Sequence, residues 1–223
     1  MTTRRFEVVS DVGARRQARL VDARLAVVVD GRRDHGDLVG VLTACCRGSA
    51  DVLVLRDKTA TEDELRTAAA TFRAVADEYG ALFVVNDLPG LAREVGADAV
   101  HVGQTDVHPD HARRVAGADI LIGRTVQTTE QLAAAADEDV DYLVVGPVRD
   151  ADDGPDGVGT AIVASAARSA SYPWFAAGGI TPDEAGDVLA AGARRLSVGR
   201  CVVTASDPEA TLWALRGVLA RAD

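Results

Sequence analysis

The sequence predicts an α/β protein built as a single (β/α)8 barrel, and three observations support this. The 223 residues are enough for one large domain. Eight short apolar runs, rich in Val and Leu, are separated by helical patterns. The runs barely alternate between apolar and polar residues, which is typical of parallel strands buried on both faces. Eight such units in about 200 residues favour a closed barrel, and a doubly wound open sheet is the alternative.

The chain begins with an arginine-rich segment, residues 1–22, which we interpret as an extra N-terminal arm or helix. The barrel is expected to occupy residues 23–223, with no linker or low-complexity segment dividing it. In chain order, the predicted strands are RLAVVVD (24–30), DVLVLR (51–56), ALFVVN (81–86), DAVHVG (98–103), DILIGR (119–124), DYLVVG (141–146), WFAAGG (174–179) and RLSVG (195–199).

Capping residues predict where several helices begin. Residues 61–64 (TEDE) and 181–184 (TPDE) have the spacing of a capping box, in which Thr and Glu side chains satisfy the first free N–H groups. In the second box, Pro182 is expected at the first helical position. The pair Asp207-Pro208 opens the last predicted helix in a similar way.

Composition restricts the partners and the location. Lys and Arg total 24 against 34 Asp and Glu, a formal net charge of −10. A surface of that sign repels nucleic acid and anionic membranes, so we expect neither as a partner. No apolar run is long enough to span a membrane, and no apolar segment follows the N-terminal arginines as a secretory signal requires. Three cysteines without metal-ligand spacing suit a reducing, cytoplasmic location.

Polar residues and glycines lie just beyond the predicted strands, where barrels of this kind place their active sites. They are Arg56-Asp57-Lys58 after the second strand, Asn86-Asp87 after the third, Gly103-Gln104-Thr105-Asp106 after the fourth, Arg124-Thr125 after the fifth, and then Gly146, Gly178-Gly179 and Gly199-Arg200 after the last three. Each group alone is ordinary for a turn or a surface. Their convergence at the same ends of successive strands predicts a functional site.

The chemistry of this set points to phosphates. Asp87 and Asp106 are candidate ligands of one Mg²⁺ ion, which is commonly held by a few carboxylates together with water and substrate phosphate oxygens. Arg56, Lys58 and Asn86 are then expected around the same anion. Backbone N–H groups at the glycines after the seventh and eighth strands are a candidate cradle for a second phosphate. Small-molecule phosphates are therefore the expected substrates, and a homo-oligomer is among the assembly states that the sequence allows.

Seven segments, spread over roughly residues 23–221, carry a family resemblance. They are LRDK (55–58), VVNDLPGLA (84–92), HVGQTDV (101–107), IGRT (122–125), DYLVVGP (141–147), AGGITP (177–182) and GARRLSVGR (192–200). As an ordered set they resemble the thiamine-phosphate synthase family, which includes the related thiazole tautomerases. Members join an aminopyrimidine-methyl diphosphate to a thiazole phosphate and release diphosphate.

The resemblance implies a role for each candidate. Asp87 and Asp106 would bind Mg²⁺. The residues implied around the pyrimidine diphosphate, as the catalytic set, are Arg56, Lys58, Asn86 and Thr125. The residues implied in substrate binding on the acceptor side are Gly179, Gly199, Arg200 and Arg124. The family reaction needs no protein nucleophile, because the acceptor ring nitrogen attacks as the diphosphate leaves.

The sequence departs from the family pattern at three places. Val54 stands where the family usually has Gln, so a hydrogen-bonding partner of the pyrimidine is expected to be lost. Gln127 stands where a His is common, and an amide cannot move protons at neutral pH, which argues against tautomerase activity. Residues 151–154 read ADDG in place of the family's Thr-x-Thr-Lys, which removes two hydroxyls and a lysine.

The last departure also brings aspartates into a predicted phosphate site, which costs about 1 kcal/mol in exposed surroundings and more when desolvated. Arg124, Arg149 and Arg200 are the cations expected to offset this in part. Three hypotheses follow. The favoured one is a transferase of the family type, including a degenerate form or one that uses another acceptor. The others are a non-catalytic protein that binds a diphosphate or a thiamine-related ligand, and an isomerase of a small heterocyclic phosphate.

Overall fold

The computed structural model describes residues 10–149 and 157–221. Eight parallel strands pair in sequence order and close into a barrel, because the last strand pairs with the first. The strands are β1 (Leu25–Val29), β2 (Val52–Leu55), β3 (Leu82–Asn86), β4 (Ala99–Val102), β5 (Leu121–Val126), β6 (Tyr142–Val145), β7 (Trp174–Ala177) and β8 (Leu196–Val198). The predicted (β/α)8 barrel is confirmed, and the open-sheet alternative is wrong.

One helix precedes the first strand, and the others follow the strands around the outside of the barrel. They are α1 (Asp11–Asp22), α2 (Leu38–Arg47), α3 (Glu62–Tyr79), α4 (Pro89–Glu94), α5 (Pro109–Ala116), α6 (Thr129–Ala134), α7 (Thr160–Ser169), α8 (Ala185–Ala190), α9 (Arg200–Val203) and α10 (Pro208–Ala220). Of the two alternatives for the N-terminal segment, an arm or a helix, the structure has a helix over Asp11–Asp22. Residues 1–9 lie outside the described part of the chain.

Two of the three predicted helix starts are confirmed. Thr61 and Glu64 form a full capping box at α3, and the Asp207 side chain accepts the Ala210 N–H at the start of α10. The third is wrong, because residues 181–184 form a turn and α8 begins at Ala185. There the Glu184 carboxylate accepts from both the N–H and the hydroxyl of Thr181. The hydroxyl is used as a donor, so only half of the box forms.

The strands separate two apolar layers. Side chains such as Val54, Val84, Tyr142 and Phe175 fill the inside of the barrel, while the larger core packs between the strands and the helices. Inside the barrel, position 123 must be glycine, because a Cβ there would lie 2.1 Å from the Tyr142 ring. Alternation between these two layers decides which residues beyond the strand ends continue to face inward.

Helix α1 covers the amino-terminal end of the barrel. Its Leu20 packs with the interior side chains, and its Arg16 pairs with Asp98 at 3.0 Å. Arg16 also donates to the carbonyl of Asp119 at 2.9 Å, so the helix is joined to the residues just before both β4 and β5. This end of the barrel is closed, and the open end is the one where the strands finish. No helix in residues 10–149 or 157–221 is long and apolar enough to cross a bilayer.

The fifth strand begins and ends two residues later than predicted. Its pairing with β4 reaches Arg124 and its pairing with β6 reaches Val126. Arg124 and Thr125 therefore lie within β5, and the prediction that they follow it is wrong. No helix signal interrupts the extended chain before Thr128, which caps α6.

Candidate active site

The predicted site residues gather where β2 and β3 end. A cleft of about 280 Å³ there is lined by Arg56, Lys58, Asn86 and Asp87, among others. Asn86 lies two residues after Val84 on β3, and Arg56 lies two after Val54 on β2, so strand alternation turns both toward the barrel axis. Arg56 and Lys58 are exposed and Asn86 is half-buried, which leaves their polar groups free to meet a ligand.

Asp87 and Asp106 come from neighbouring loops and share a hydrogen bond. Asp87 has a left-handed backbone (φ 67°), and its N–H donates to the carbonyl of His101 at 2.8 Å. Burial raises the pKa of Asp87 to about 6, and the hydrogen bond and charge of Asp106 act in the same direction. The charges of Lys58 and Arg56 act in the opposite direction.

Asp106 behaves differently from its partner. Burial opposes its ionisation, but hydrogen bonds from Asp87 and from the Gly103 N–H outweigh burial and hold the pKa of Asp106 below its usual value. The Gly103 N–H lies 2.7 Å from Asp106 Oδ2, and a Cβ on Gly103 would lie 2.9 Å from that oxygen. Below about pH 6 the two carboxyls can therefore hold one proton between them near Lys58, and above that pH a cation can take the place of the proton.

The loop that carries Arg56 and Lys58 is organised by Asp57, a residue for which the sequence pattern predicts no role. Its carboxylate accepts from the N–H and hydroxyl of Thr59 at 3.0 and 2.8 Å, and from Arg33 Nε at 3.3 Å. Burial opposes ionisation, but the bonds from Thr59 and Arg33 outweigh it and hold the pKa of Asp57 below its usual value. With Asp57 turned into the loop, the two flanking cations are left on the surface.

Thr125 reaches the barrel mouth together with His101. The hydroxyl of Thr125 lies 2.7 Å from His101 Nε2. Burial, with the positive charge of Arg56 next in size, lowers the pKa of His101 to about 4, so the ring is neutral at neutral pH. The histidine therefore acts as an uncharged hydrogen-bonding partner that fixes the Thr125 side chain.

Arg124 does not join this group. Its neighbours Ile122 and Val126 belong to the outer core while Leu121 belongs to the inner one, so alternation turns Arg124 toward the helices. The residue is 5% exposed, and its guanidinium donates to the carbonyl of Gly103 at 2.7 Å. The predicted contact of Arg124 with substrate conflicts with this burial.

The acceptor side of the predicted site is formed by the ends of β7 and β8. Gly178 and Gly179 both have positive φ, 96° and 63°, and a Cβ on Gly178 would lie 2.4 Å from Pro147. Gly199 and the exposed Arg200 open α9, with the Gly199 carbonyl accepting the Val202 N–H. The substituted segment 151–154 lies outside the described residues.

Arg149, one of the three proposed compensating cations, donates its backbone N–H to the Gly178 carbonyl at 3.2 Å, but its guanidinium is paired with carboxylates. Its Nη2 lies 3.1 Å from a carboxylate oxygen of Asp187 on α8, and its Nε lies 3.9 Å from Glu184. Since Arg124 is buried and Arg149 is paired, Arg200, which follows Gly199 directly, is the remaining candidate of the three.

These features define the class of the protein as a (β/α)8 barrel that carries a carboxylate pair, a cationic loop and glycine turns at its open end. A family model described as thiamine monophosphate synthase matches residues 25–202. The chain belongs to this family.

Curated relatives agree over nearly the whole chain. A thiamine-phosphate synthase of Mycobacterium bovis (strain BCG / Pasteur 1173P2) is 39% identical over 221 residues, covering 93% of this chain and 99% of that protein. One of Thermobifida fusca (strain YX) is 42% identical over 204 residues, covering 89% and 93%. Among solved structures, a thiamine phosphate pyrophosphorylase from Pyrococcus furiosus superposes with a TM-score of 0.83 at 29% identity, covering 92% and 98%.

Proposed function

We propose that this protein is a Mg²⁺-dependent thiamine-phosphate synthase, which joins an aminopyrimidine-methyl diphosphate to a thiazole phosphate and releases diphosphate. The observation that carries the proposal is that Asp87, which is paired with Asp106, lines one cleft together with Lys58 and Arg56, in a chain of this family. The cytoplasmic location, the homo-oligomer and the exclusion of nucleic acid and membrane as partners stay predictions from the sequence.

The residues present fit Mg²⁺. Asp87 and Asp106 supply hard oxygen donors and hold a shared proton that a cation would replace. Among the described residues, no cluster of three His, Cys, Asp or Glu side chains suited to a metal occurs. Two carboxylates are enough when water and diphosphate oxygens complete the coordination. When bound, the ion neutralises the charge that develops on the leaving diphosphate.

The other residues bind and orient the two substrates. Arg56 and Lys58 contact the diphosphate from a loop whose conformation Asp57 stabilises through its bonds to Arg33 and Thr59. Asn86 and Thr125 offer polar groups at the barrel mouth, the latter fixed by neutral His101. The bond from the pyrimidine methylene carbon to diphosphate oxygen breaks, and the thiazole nitrogen forms the new bond to that carbon.

The acceptor is held on the other side of the open end. Backbone N–H groups near Gly179 and Gly199, together with the Arg200 guanidinium, bind the thiazole phosphate, in the region that barrels of this kind use for phosphate. The two substrates then meet over the barrel axis, and the reaction needs no nucleophilic side chain.

The test is an assay of the purified protein with both substrates. Thiamine phosphate should accumulate only when Mg²⁺, the pyrimidine diphosphate and the thiazole phosphate are all present, and a chelator should stop it. Release of inorganic diphosphate should match product formation one to one. Binding of the diphosphate without any product would contradict the transferase and support the second candidate below.

The second candidate is a protein that binds the diphosphate without turning it over. It is favoured by Val54, which packs with the apolar side chains inside the barrel and is nearly buried. An apolar side chain there offers no hydrogen bond to a pyrimidine, and the family's hydroxyls and lysine are missing from residues 151–154. The isomerase gains no support, because the Gln127 side chain has no titrating proton at neutral pH.

Mg²⁺ is expected to raise the melting temperature more near pH 7.5 than near pH 5. The folded-state pKa of Asp87 is about 6, above the ordinary value of 3.8, so the protonated pair stabilises the metal-free protein at low pH. That stability is present below the unfolded pKa and is lost as the pH rises through about 6, where a cation can replace the proton.

Thermal melts with and without Mg²⁺ across this range measure the effect. Asp87→Asn is the control, because it removes the titrating group while Asn tolerates the left-handed backbone. An equal Mg²⁺ increment at both pH values in the native protein would argue against cation binding by this pair.

Restoring the family pattern at 151–154 is expected to raise kcat/KM for the thiazole phosphate. The triple variant Ala151→Thr, Asp153→Thr and Gly154→Lys removes one carboxylate and adds two hydroxyls and one cation. One recovered charge-assisted hydrogen bond contributes about 1.5–3 kcal/mol, or roughly 10- to 100-fold in rate if it acts in the transition state.

Asp153→Asn is the matched control, since it removes the same charge without adding a hydroxyl or a cation. Steady-state kinetics on native, control and triple variants give the comparison. Fast native turnover that the triple variant leaves unchanged would show that these positions do not limit acceptor use.

A further inference from the structure

Arg124 and Glu138 form an ion pair next to the loop between β4 and α5. Arg124 Nε lies 3.4 Å from Glu138 Oε2, and the two side chains are 6% and 17% exposed. Neither of these two atoms has a hydrogen-bonding partner among the described residues, so the contact is one of charge. Breaking one side of such a pair leaves an uncompensated charge in a poorly solvated place.

The rest of the guanidinium is directed at the loop that carries Asp106. Arg124 Nη1 donates to the Gly103 carbonyl at 2.7 Å, and Nη2 lies 3.4 Å from Gln104 Oε1. The amide of Gln104 in turn donates to the Thr125 carbonyl at 2.5 Å. The loop is therefore bonded to β5 at two consecutive residues.

Gly103 connects this arrangement to the carboxylate. The Gly103 N–H donates to Asp106 Oδ2 at 2.7 Å, and its carbonyl accepts from both Arg124 and the Asp106 N–H, the latter at 3.3 Å. A shift of the Gly103 backbone would change the orientation of the Asp106 oxygens, because Gly103 contacts Arg124 through its carbonyl and Asp106 through both its carbonyl and its N–H. Asp106 itself is exposed, so it has little other packing to hold it.

We propose that the Arg124–Glu138 pair is a positioning element that fixes Asp106 for divalent-cation binding. This inference rests on the proposed metal site at Asp87 and Asp106, and it assigns Arg124 a role through the Gly103 peptide in place of substrate contact. Residues that orient metal ligands typically change metal affinity by about 10- to 100-fold when they are replaced.

A second arginine, half-buried, provides a matched control. Arg113 lies at the opposite end of β5, where it donates to the Ile120 carbonyl at 2.6 Å and pairs with Asp141 at 2.6 Å. Like Arg124 it joins a carbonyl group to a carboxylate, but it contacts no residue of the cleft. Loss of Arg113 is therefore expected to cost stability alone.

The experiment measures Mn²⁺ binding by the paramagnetic resonance of the free ion, with and without inorganic diphosphate, so that no turnover is involved. Mn²⁺ favours the same oxygen ligands as Mg²⁺. The variants are Asp106→Asn, Arg124→Met, Arg113→Met and the double variant Arg124→Met with Glu138→Gln, all measured well below their melting temperatures. The double variant removes both charges and so restores stability lost in Arg124→Met.

Native protein should bind Mn²⁺, and Asp106→Asn should abolish binding. Arg124→Met should weaken binding about 10- to 100-fold, and the double variant should stay weak although it melts near the native temperature. Arg113→Met should melt lower but bind normally. Native affinity in Arg124→Met, or affinity that returns together with stability in the double variant, would overturn this inference while leaving the metal site intact. Equal binding by native protein and Asp106→Asn would overturn the metal site and the inference together.

Discussion

Asp106→Asn and Asp87→Asn are each expected to lower Mg²⁺-dependent turnover by more than about 100-fold. Replacement of residues that merely orient metal ligands already costs about 10- to 100-fold, and direct loss of a ligand charge costs more. Both substitutions keep the shape of the side chain, and Asn tolerates the left-handed φ of 67° at position 87. The large effect should therefore come from the charge and not from the backbone.

Calorimetry with a pyrimidine diphosphate tests the same point without catalysis. Binding to native protein should depend on Mg²⁺, and binding to either Asn variant should not. Asp110→Asn is a matched control, because Asp110 is an exposed carboxylate at the start of α5, the helix that follows the Asp106 loop. Equal diphosphate affinity with and without the metal in the native protein would count against the site.

Lys58→Ala is expected to lower kcat/KM for the pyrimidine diphosphate by about 10- to 100-fold. A charge-assisted hydrogen bond to a phosphate contributes about 1.5–3 kcal/mol, and no other lysine exists in the chain to replace this one. Lys58→Arg should lower kcat/KM less, because it keeps the positive charge. Some loss is still expected, since the planar guanidinium does not match the geometry of the compact ammonium group.

Arg66→Ala is the control for a general change in surface charge. Arg66 is a partly exposed cation on α3 that pairs with Glu62 and Glu94 and lines no part of the cleft. Steady-state kinetics and diphosphate binding, measured on the three variants, separate the loss of a specific contact with the diphosphate from a general change in surface charge. If Lys58→Ala binds diphosphate and turns over substrate like the native protein, Lys58 is an ordinary solvated side chain with no contact to the diphosphate.

The strand ends could be predicted from the sequence because they depend on local patterns. Apolar runs of Val and Leu, bounded by polar residues, indicated eight strands, and Asn86, Asp87 and Lys58 came to one cleft as expected. Parallel strands in register bring their carboxyl ends to the same edge, so approximate ends were sufficient.

The orientation of the Arg124 side chain could not be predicted from an approximate position for the end of β5. The observed β5 continues two residues past Arg124, so Arg124 lies within the strand and not at its end, and alternation turns it away from the axis. Its partner Glu138 lies in a helical connection fourteen positions further on, and nothing in the local sequence joins the two. The half-formed capping box at Thr181 could not be predicted for the same kind of reason. A hydroxyl can donate or accept a hydrogen bond, and which of the two it does depends on its surroundings in the folded protein.

Helix α1 has a consequence for how the chain folds during synthesis. It is made before the residues it binds, since its contacts to Asp98 and Asp119 span 82 to 109 positions. At roughly 5–20 residues per second, these partners follow about 4 to 20 s later. Until then the apolar face around Leu20 has no barrel interior to cover, and β1 still lacks β8. For that interval Leu20 lacks its contacts inside the barrel, and β1 stays unpaired on one edge for longer still, because β8 is the last strand to be made. Closure of the barrel therefore waits until nearly the whole chain has been synthesised.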